Sequence, residues 1–331
     1  MKKILCLMLA LIMLAGCTPV NMEEDESKTE SRNESKTESI STPESVSESE
    51  PDEESSTPDE SSAATEGYQK PEILDKSYSE RSQYFGEYWN VEYDVNDTYF
   101  KNSVFVGNSI MLHFSKYTER KRAADKGFLG NANFFAAASF SYYNNAHQTA
   151  DSKDCALPSF RGQPMNITQA VGEMNIGTVY LSLMALNDIA IYKDGMTGIL
   201  ETYDLFVKLI DELKTEYPAV KVVVLSNTYL HSSSDNAAHK LNNGSISDLN
   251  IRVLDYCNQN GIDFIDIASV LLDEDDCLGT EFCSDVGSPT AACHLTDYAY
   301  NAWTFILRDY AANKLAGTWE NPESMKGIIS K

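Results

Sequence analysis

Ser103-Val104-Phe105-Val106-Gly107-Asn108-Ser109-Ile110-Met111-Leu112-His113 is the stretch from which the fold can be read. A short apolar run reaches a glycine, and a helical segment begins within two residues. Such a junction sets Ser109 at the carboxyl end of a buried strand and at the start of a helix, where the first backbone N–H groups have no partner within the helix. Further apolar runs predict strands over Phe134–Ala138, Thr178–Leu183, Lys221–Leu225 and Asp263–Ile267. Between them, Ile199, Tyr203, Phe206, Ile210 and Leu213 recur at steps of four and three, which marks one helix face ending before Pro218. Ile246 to Asn260 and Thr296 to Ala316 read the same way. Short apolar strands alternating with helices predict an α/β fold, with a mostly parallel sheet covered on both faces.

Ligands of such sheets sit at the carboxyl ends of the strands. Ser109, Ser139 and Asn187 all fall just past predicted strand ends, and His294 heads the last predicted helix. A hydroxyl, an amide and an imidazole in that order, each at a strand-to-helix junction, suit acyl transfer: a nucleophile, an oxyanion donor and a general base. Taken singly, a Gly-x-Ser is most often a helix cap and an Asn-Asp a turn. The ordered set carries the reading.

These residues resemble the SGNH (GDSL-type) hydrolases over roughly residues 95–315. The resemblance implies a flavodoxin-like three-layer α/β/α sandwich and a serine esterase; no cofactor or metal is expected, since nothing in the sequence resembles a Gly-rich phosphate loop or a clustered metal site. Gly107-Asn108-Ser109 looks like the family's Gly-Asp-Ser block, which gives Ser109 the nucleophile role and its N–H a place at the oxyanion. Ala185-Leu186-Asn187-Asp188 looks like Gly-x-Asn-Asp, which makes the Asn187 amide an oxyanion donor. The second block ordinarily supplies a glycine N–H; the nearest match, Ala136-Ala137-Ala138-Ser139-Phe140, has none, and Ser139 takes that place. The last block is ordinarily Asp-x-x-His. His294 is followed by Leu295-Thr296 as expected, but Ala291 stands three residues before it, and the nearest upstream acid is Asp285. Two readings stay open: Asp285 reaches the imidazole across an insertion, or the site works as a Ser–His dyad.

The amino-terminal portion is of a different kind. Met1-Lys2-Lys3, an apolar run from Ile4 to Leu14, and Leu14-Ala15-Gly16-Cys17 resemble a bacterial lipoprotein signal, with Cys17 as the lipidated residue. Thr18 to Lys70 is rich in Glu-Ser, Thr-Pro and Pro-Asp pairs and holds 16 Asp/Glu against 4 Lys/Arg, half of the whole-chain net charge of −24. So little apolar surface cannot offset ordering entropy, and an extended acidic linker is expected. The expected organisation is a signal over 1–16, a lipidated cysteine and linker over 17–70, and a hydrolase-like domain over 71–331. The expected location is the outer face of a bacterial membrane, at a Gram-positive cell surface, with the lipid anchor as the only membrane contact.

The acidic balance argues against nucleic acid and anionic membrane surfaces, which require clustered Lys/Arg. Cys155, Cys257, Cys277, Cys283 and Cys293 remain for the domain, an odd number, and a Cys283–Cys293 bridge is one possible pairing. No cysteine or histidine pairs stand at zinc-ligand spacing, and Asp273-Glu274-Asp275-Asp276 reads as a solvated turn rather than a calcium loop. The expected function is removal of acetyl or other small acyl groups from cell-wall or extracellular carbohydrate. Acyl transfer to a glycan by the same residues, and a catalytically silent carbohydrate-binding lipoprotein, are the competing readings.

Overall fold

A computed structural model describes residues 67–87, 94–288 and 290–325; Cys17, the signal and most of the acidic linker lie outside the described residues. Five strands form the central sheet: β1 (Ser103–Gly107), β2 (Asn133–Ala136), β3 (Thr178–Ser182), β4 (Lys221–Leu225) and β5 (Asp263–Ile265). They are all parallel, in the order β2-β1-β3-β4-β5. This is the doubly wound flavodoxin-like order, with β1 and β3 at the switch point. Among the described residues, eight α-helices accompany the strands: α1 (Tyr78–Glu87), α2 (Ser109–Ala124), α3 (Tyr142–His147), α4 (Ile167–Met174), α5 (Leu186–Ile191), α6 (Gly195–Glu216), α7 (Asn243–Asn260) and α8 (Asp297–Ala316).

Alternation along each strand builds two cores. Phe105, Tyr180, Val223 and Ile265 point to one face and pack with Ile110, Phe114 and Tyr117 of α2 and Tyr300, Trp303 and Leu307 of α8. Val104, Val106, Leu181, Val224 and Phe264 point to the other, against Val171 of α4, Phe206 and Ile210 of α6 and Val253 of α7. Helices therefore cover both faces of the sheet, giving the three-layer α/β/α sandwich expected from the apolar runs. No helix among the described residues is long and apolar enough to cross a membrane.

The helix α8 is held in place by a charge as well as by aromatic packing. Asp97, fully buried just before β1, accepts from Nε of Arg308 at 2.8 Å and from its terminal nitrogen at 2.7 Å. A two-pronged pair of this kind is costly to break from one side, because the surviving charge stays buried without its partner. Asp97→Ala is expected to lower unfolding stability by about 3–5 kcal/mol, read as a fall in the denaturant midpoint at constant slope.

Candidate active site

Ser109 owes its position to the turn that ends β1. Gly107 lies beside Ala136 of β2 and Ser182 of β3, so the three strand ends share one rim. A Cβ on Gly107 would collide with Met111 and come within 2.6 Å of the Ser182 carbonyl oxygen, so only glycine lets the helix start so close to the strand. The Asn108 side chain caps α2 by accepting the Ile110 N–H at 3.0 Å, the task an aspartate would perform. Ser109 is then the first residue of α2, with its backbone N–H among the unpaired ones of that terminus.

His294 reaches the same rim from the other end of the chain. Its Nε2 stands 3.0 Å from Ser109 Oγ. Its Nδ1 stands 2.7 Å from Asp285 Oδ2, while its backbone N–H donates to Asp285 Oδ1 at 3.0 Å. The nine-residue separation is bridged by a short antiparallel pairing: Cys283 lies opposite Leu295, and the Ser284 N–H donates to the His294 carbonyl at 2.8 Å. The carboxylate and the imidazole therefore meet despite the altered spacing. With Nδ1–H directed at the carboxylate, Nε2 is free to accept the Ser109 proton.

The helices behind these groups are stitched together. The Tyr300 hydroxyl of α8 donates to the Ile110 carbonyl at 2.9 Å, and the Tyr117 hydroxyl donates to Asn301 at 2.7 Å. All four residues are buried, so α2 and α8 keep Ser109 and His294 in register. His231 braces the segment from below. Its Nδ1 accepts the Ser233 N–H at 3.0 Å, which leaves Nε2–H to face Thr280 Oγ1 at 3.1 Å, and its own N–H donates to the Ala292 carbonyl at 2.8 Å. Nothing local in the sequence distinguishes it from a surface histidine.

Cys283 and Cys293 are free thiols, as are the three other cysteines among the described residues, so the possible bridge between them is not formed. The Cys283 thiol instead points at Asp285 Oδ1, 3.4 Å away. Asp285, Cys293 and His294 bring three potential metal-ligand atoms within 4.8 Å of one another. Burial pushes the Cys293 thiol up to about 12, and the Asp285 carboxylate and His294 Nδ1 already engage each other. The acidic run forms a turn: Asp273 Oδ1 accepts the N–H groups of Asp275 and Cys277.

Ser139 and Asn187, which follow the ends of β2 and β3, line one cavity together. Ser139 is exposed and adopts φ +59°, a left-handed conformation that glycine would take without the cost of about 1–2 kcal/mol it imposes on serine. One N–H of the Asn187 amide donates to the Phe140 carbonyl at 3.2 Å; the amide carries a second. Asp188, which follows it, is a residue that sequence reasoning passed over. Its carboxylate is fully buried and accepts the backbone N–H groups of Tyr142 at 3.1 Å and Tyr143 at 2.8 Å. The Asn187-Asp188 pair thus fastens the whole segment 140–143 that carries Ser139 and starts α3. His113, one turn along α2 from Ser109, has its ring 5.1 Å from that of His294. Burial, then the neighbouring His294, lowers its affinity for a proton.

Burial pushes the Asp188 carboxyl up to about 6 from 3.8, against the two N–H bonds and Ser141, which pull it down. The folded protein therefore takes up this proton at a pH where the unfolded chain is still ionised. Stability from this group rises as pH falls from about 6 to about 4 and is lost again as pH climbs. Asp188→Asn removes the titration, so the stability of the unsubstituted protein relative to the variant is expected to rise by about 2 kcal/mol between pH 7 and pH 4. Chemical denaturation of both proteins across that range measures it.

No protein-family model matches the chain, and no curated protein matches it. Solved structures do show likeness. A GDSL-like lipase from Bacteroides thetaiotaomicron is 13% identical, with a TM-score of 0.44, covering 72% of this chain and 100% of its own. An acetyl xylan esterase is 14% identical, with a TM-score of 0.43, covering 62% of this chain and 96% of its own. A member of the lipolytic G-D-S-L family from Veillonella parvula is 18% identical, with a TM-score of 0.38, covering 64% of this chain and 96% of its own.

Proposed function

We propose that the domain is a serine esterase of the SGNH type, acting on acetyl or other small acyl esters of carbohydrate. The observation that carries this reading is the unbroken chain of contacts from Ser109 Oγ through the His294 ring to the Asp285 carboxylate, at 3.0 and 2.7 Å. In the proposed mechanism His294 takes the Ser109 proton through Nε2 as the hydroxyl attacks the ester carbonyl. Asp285 holds the ring in the required tautomer and stabilises the imidazolium. The tetrahedral oxyanion is met by the Ser109 N–H, the Ser139 N–H and the Asn187 amide. His294 then protonates the departing alcohol, and water repeats the sequence to release the acid and restore Ser109.

The apolar stretch before Cys17 supports a location on the outer face of a bacterial membrane, where the acidic linker would hold the domain away from the lipid. The test is hydrolysis of 4-nitrophenyl acetate by the full-length protein beside a Ser109→Ala control. Release of nitrophenolate that depends on Ser109 supports the esterase. Equal slow release by both proteins excludes it and leaves a binding protein.

A further inference from the structure

The cavity shared by Ser139 and Asn187 has a volume of about 670 Å³, within the range of small-ligand sites. Its wall includes Tyr143, Asn144, Asp154 and Tyr192. We infer that this cavity binds a neutral sugar ring of the ester substrate, with Tyr143 as the platform on which the ring stacks. This rests on the esterase reading, because it takes Ser139 and Asn187 to face the reacting carbonyl; whatever fills the space beside them is then attached to that carbonyl.

Three observations select the ligand. Tyr143 is 40% exposed, so its side chain is open to a ligand in the cavity. It is also held rigidly. The His147 ring stacks on it at 4.3 Å and 27°, His147 Nδ1 lies 2.9 Å from the Tyr143 carbonyl oxygen, and Asp188 fixes the Tyr143 N–H. An aromatic ring backed on one side and fixed in place loses little entropy when a ligand stacks on it. Finally, Asp154 is the only charged residue in the wall, and it is an acid. Phosphorylated or carboxylated ligands would meet that charge and find no cation among the residues that line the wall. Ala156, Ala190 and Ile191 also give the wall apolar surface, so a long acyl chain is the competing occupant, which the octanoate ester below tests. A pyranose offers C–H faces to the aromatic ring and hydroxyls to Asn144 and Asp154.

The experiment compares the unsubstituted full-length protein with Tyr143→Ala and Tyr143→Phe. The readout is the ratio of kcat/KM for mono-O-acetyl cellobiose to kcat/KM for 4-nitrophenyl acetate. The ratio is expected to fall at least tenfold in Tyr143→Ala, mainly through KM for the sugar ester, and to stay within about threefold in Tyr143→Phe, which keeps the ring. An unchanged ratio in a folded Tyr143→Ala protein overturns the inference. So does a selective loss on 4-nitrophenyl octanoate in place of the sugar ester. Cellobiose binding is measured in parallel by calorimetry in the Ser109→Ala background, where catalysis plays no part. Binding that weakens at least tenfold on adding Tyr143→Ala supports the platform even if no ester is hydrolysed; absence of cellobiose binding overturns it even if the esterase is active.

Discussion

Alanine at Ser109 is expected to lower kcat for 4-nitrophenyl acetate by about 10⁶, to a residual rate set by binding and the oxyanion donors. The size follows from what is removed. Without the hydroxyl no acyl-enzyme forms, and His294 and Asp285 have no proton to move. The substitution leaves the fold nearly untouched, because the Ser109 side chain does not cap α2. Asn108 does, through the Ile110 N–H, and the Ser109 hydroxyl is bonded to His294 alone among the described side chains. The thermal midpoint should therefore stay within a few degrees of the parent protein while activity disappears. Loss of activity together with loss of folding would point to a structural role instead.

The sheet was legible because its strands are covered on both faces. Val104-Phe105-Val106 and Lys221–Leu225 read as continuous apolar runs for that reason, since alternate residues enter different cores. Ser109 and His294 were legible because each sits at a strand or helix boundary marked by local chemistry, the Gly107-Asn108 turn and the Thr296 cap. What escaped depends on contacts between distant residues. Helix α3 is short and polar, with no apolar period to announce it, and Asp188, 45 residues after Tyr143, helps to hold its start. The glycine-like backbone at Ser139 is hidden because the residue is not a glycine. A Cys283–Cys293 bridge was one possible pairing, and nothing in the sequence tells that the Cys283 thiol points at a carboxylate rather than at a second sulfur. The reach of Asp285 was open for a related reason. Spacing along the chain cannot reveal that Ser284 and His294 pair.

Asparagine at Asp285 is expected to cost about 10⁴ in kcat on the same ester. Asp285 makes two separate contacts with His294. Oδ1 accepts the backbone N–H at 3.0 Å, and Oδ2 faces Nδ1 at 2.7 Å. An asparagine can keep the first with its carbonyl oxygen, which turns its NH₂ group towards the ring. That donor favours the tautomer with the proton on Nε2, and Nε2 can then no longer accept from Ser109. The imidazolium of the transition state also loses its nearest negative charge. Asp285→Ala removes the wrongly oriented donor as well, so it should retain more activity than Asp285→Asn near neutral pH, although still far below the parent. This order separates tautomer control from simple support of the loop, for which alanine would be the more damaging substitution. A loss of less than tenfold in both variants would mean that Ser109 and His294 suffice as a pair and that Asp285 serves only to hold the backbone at His294.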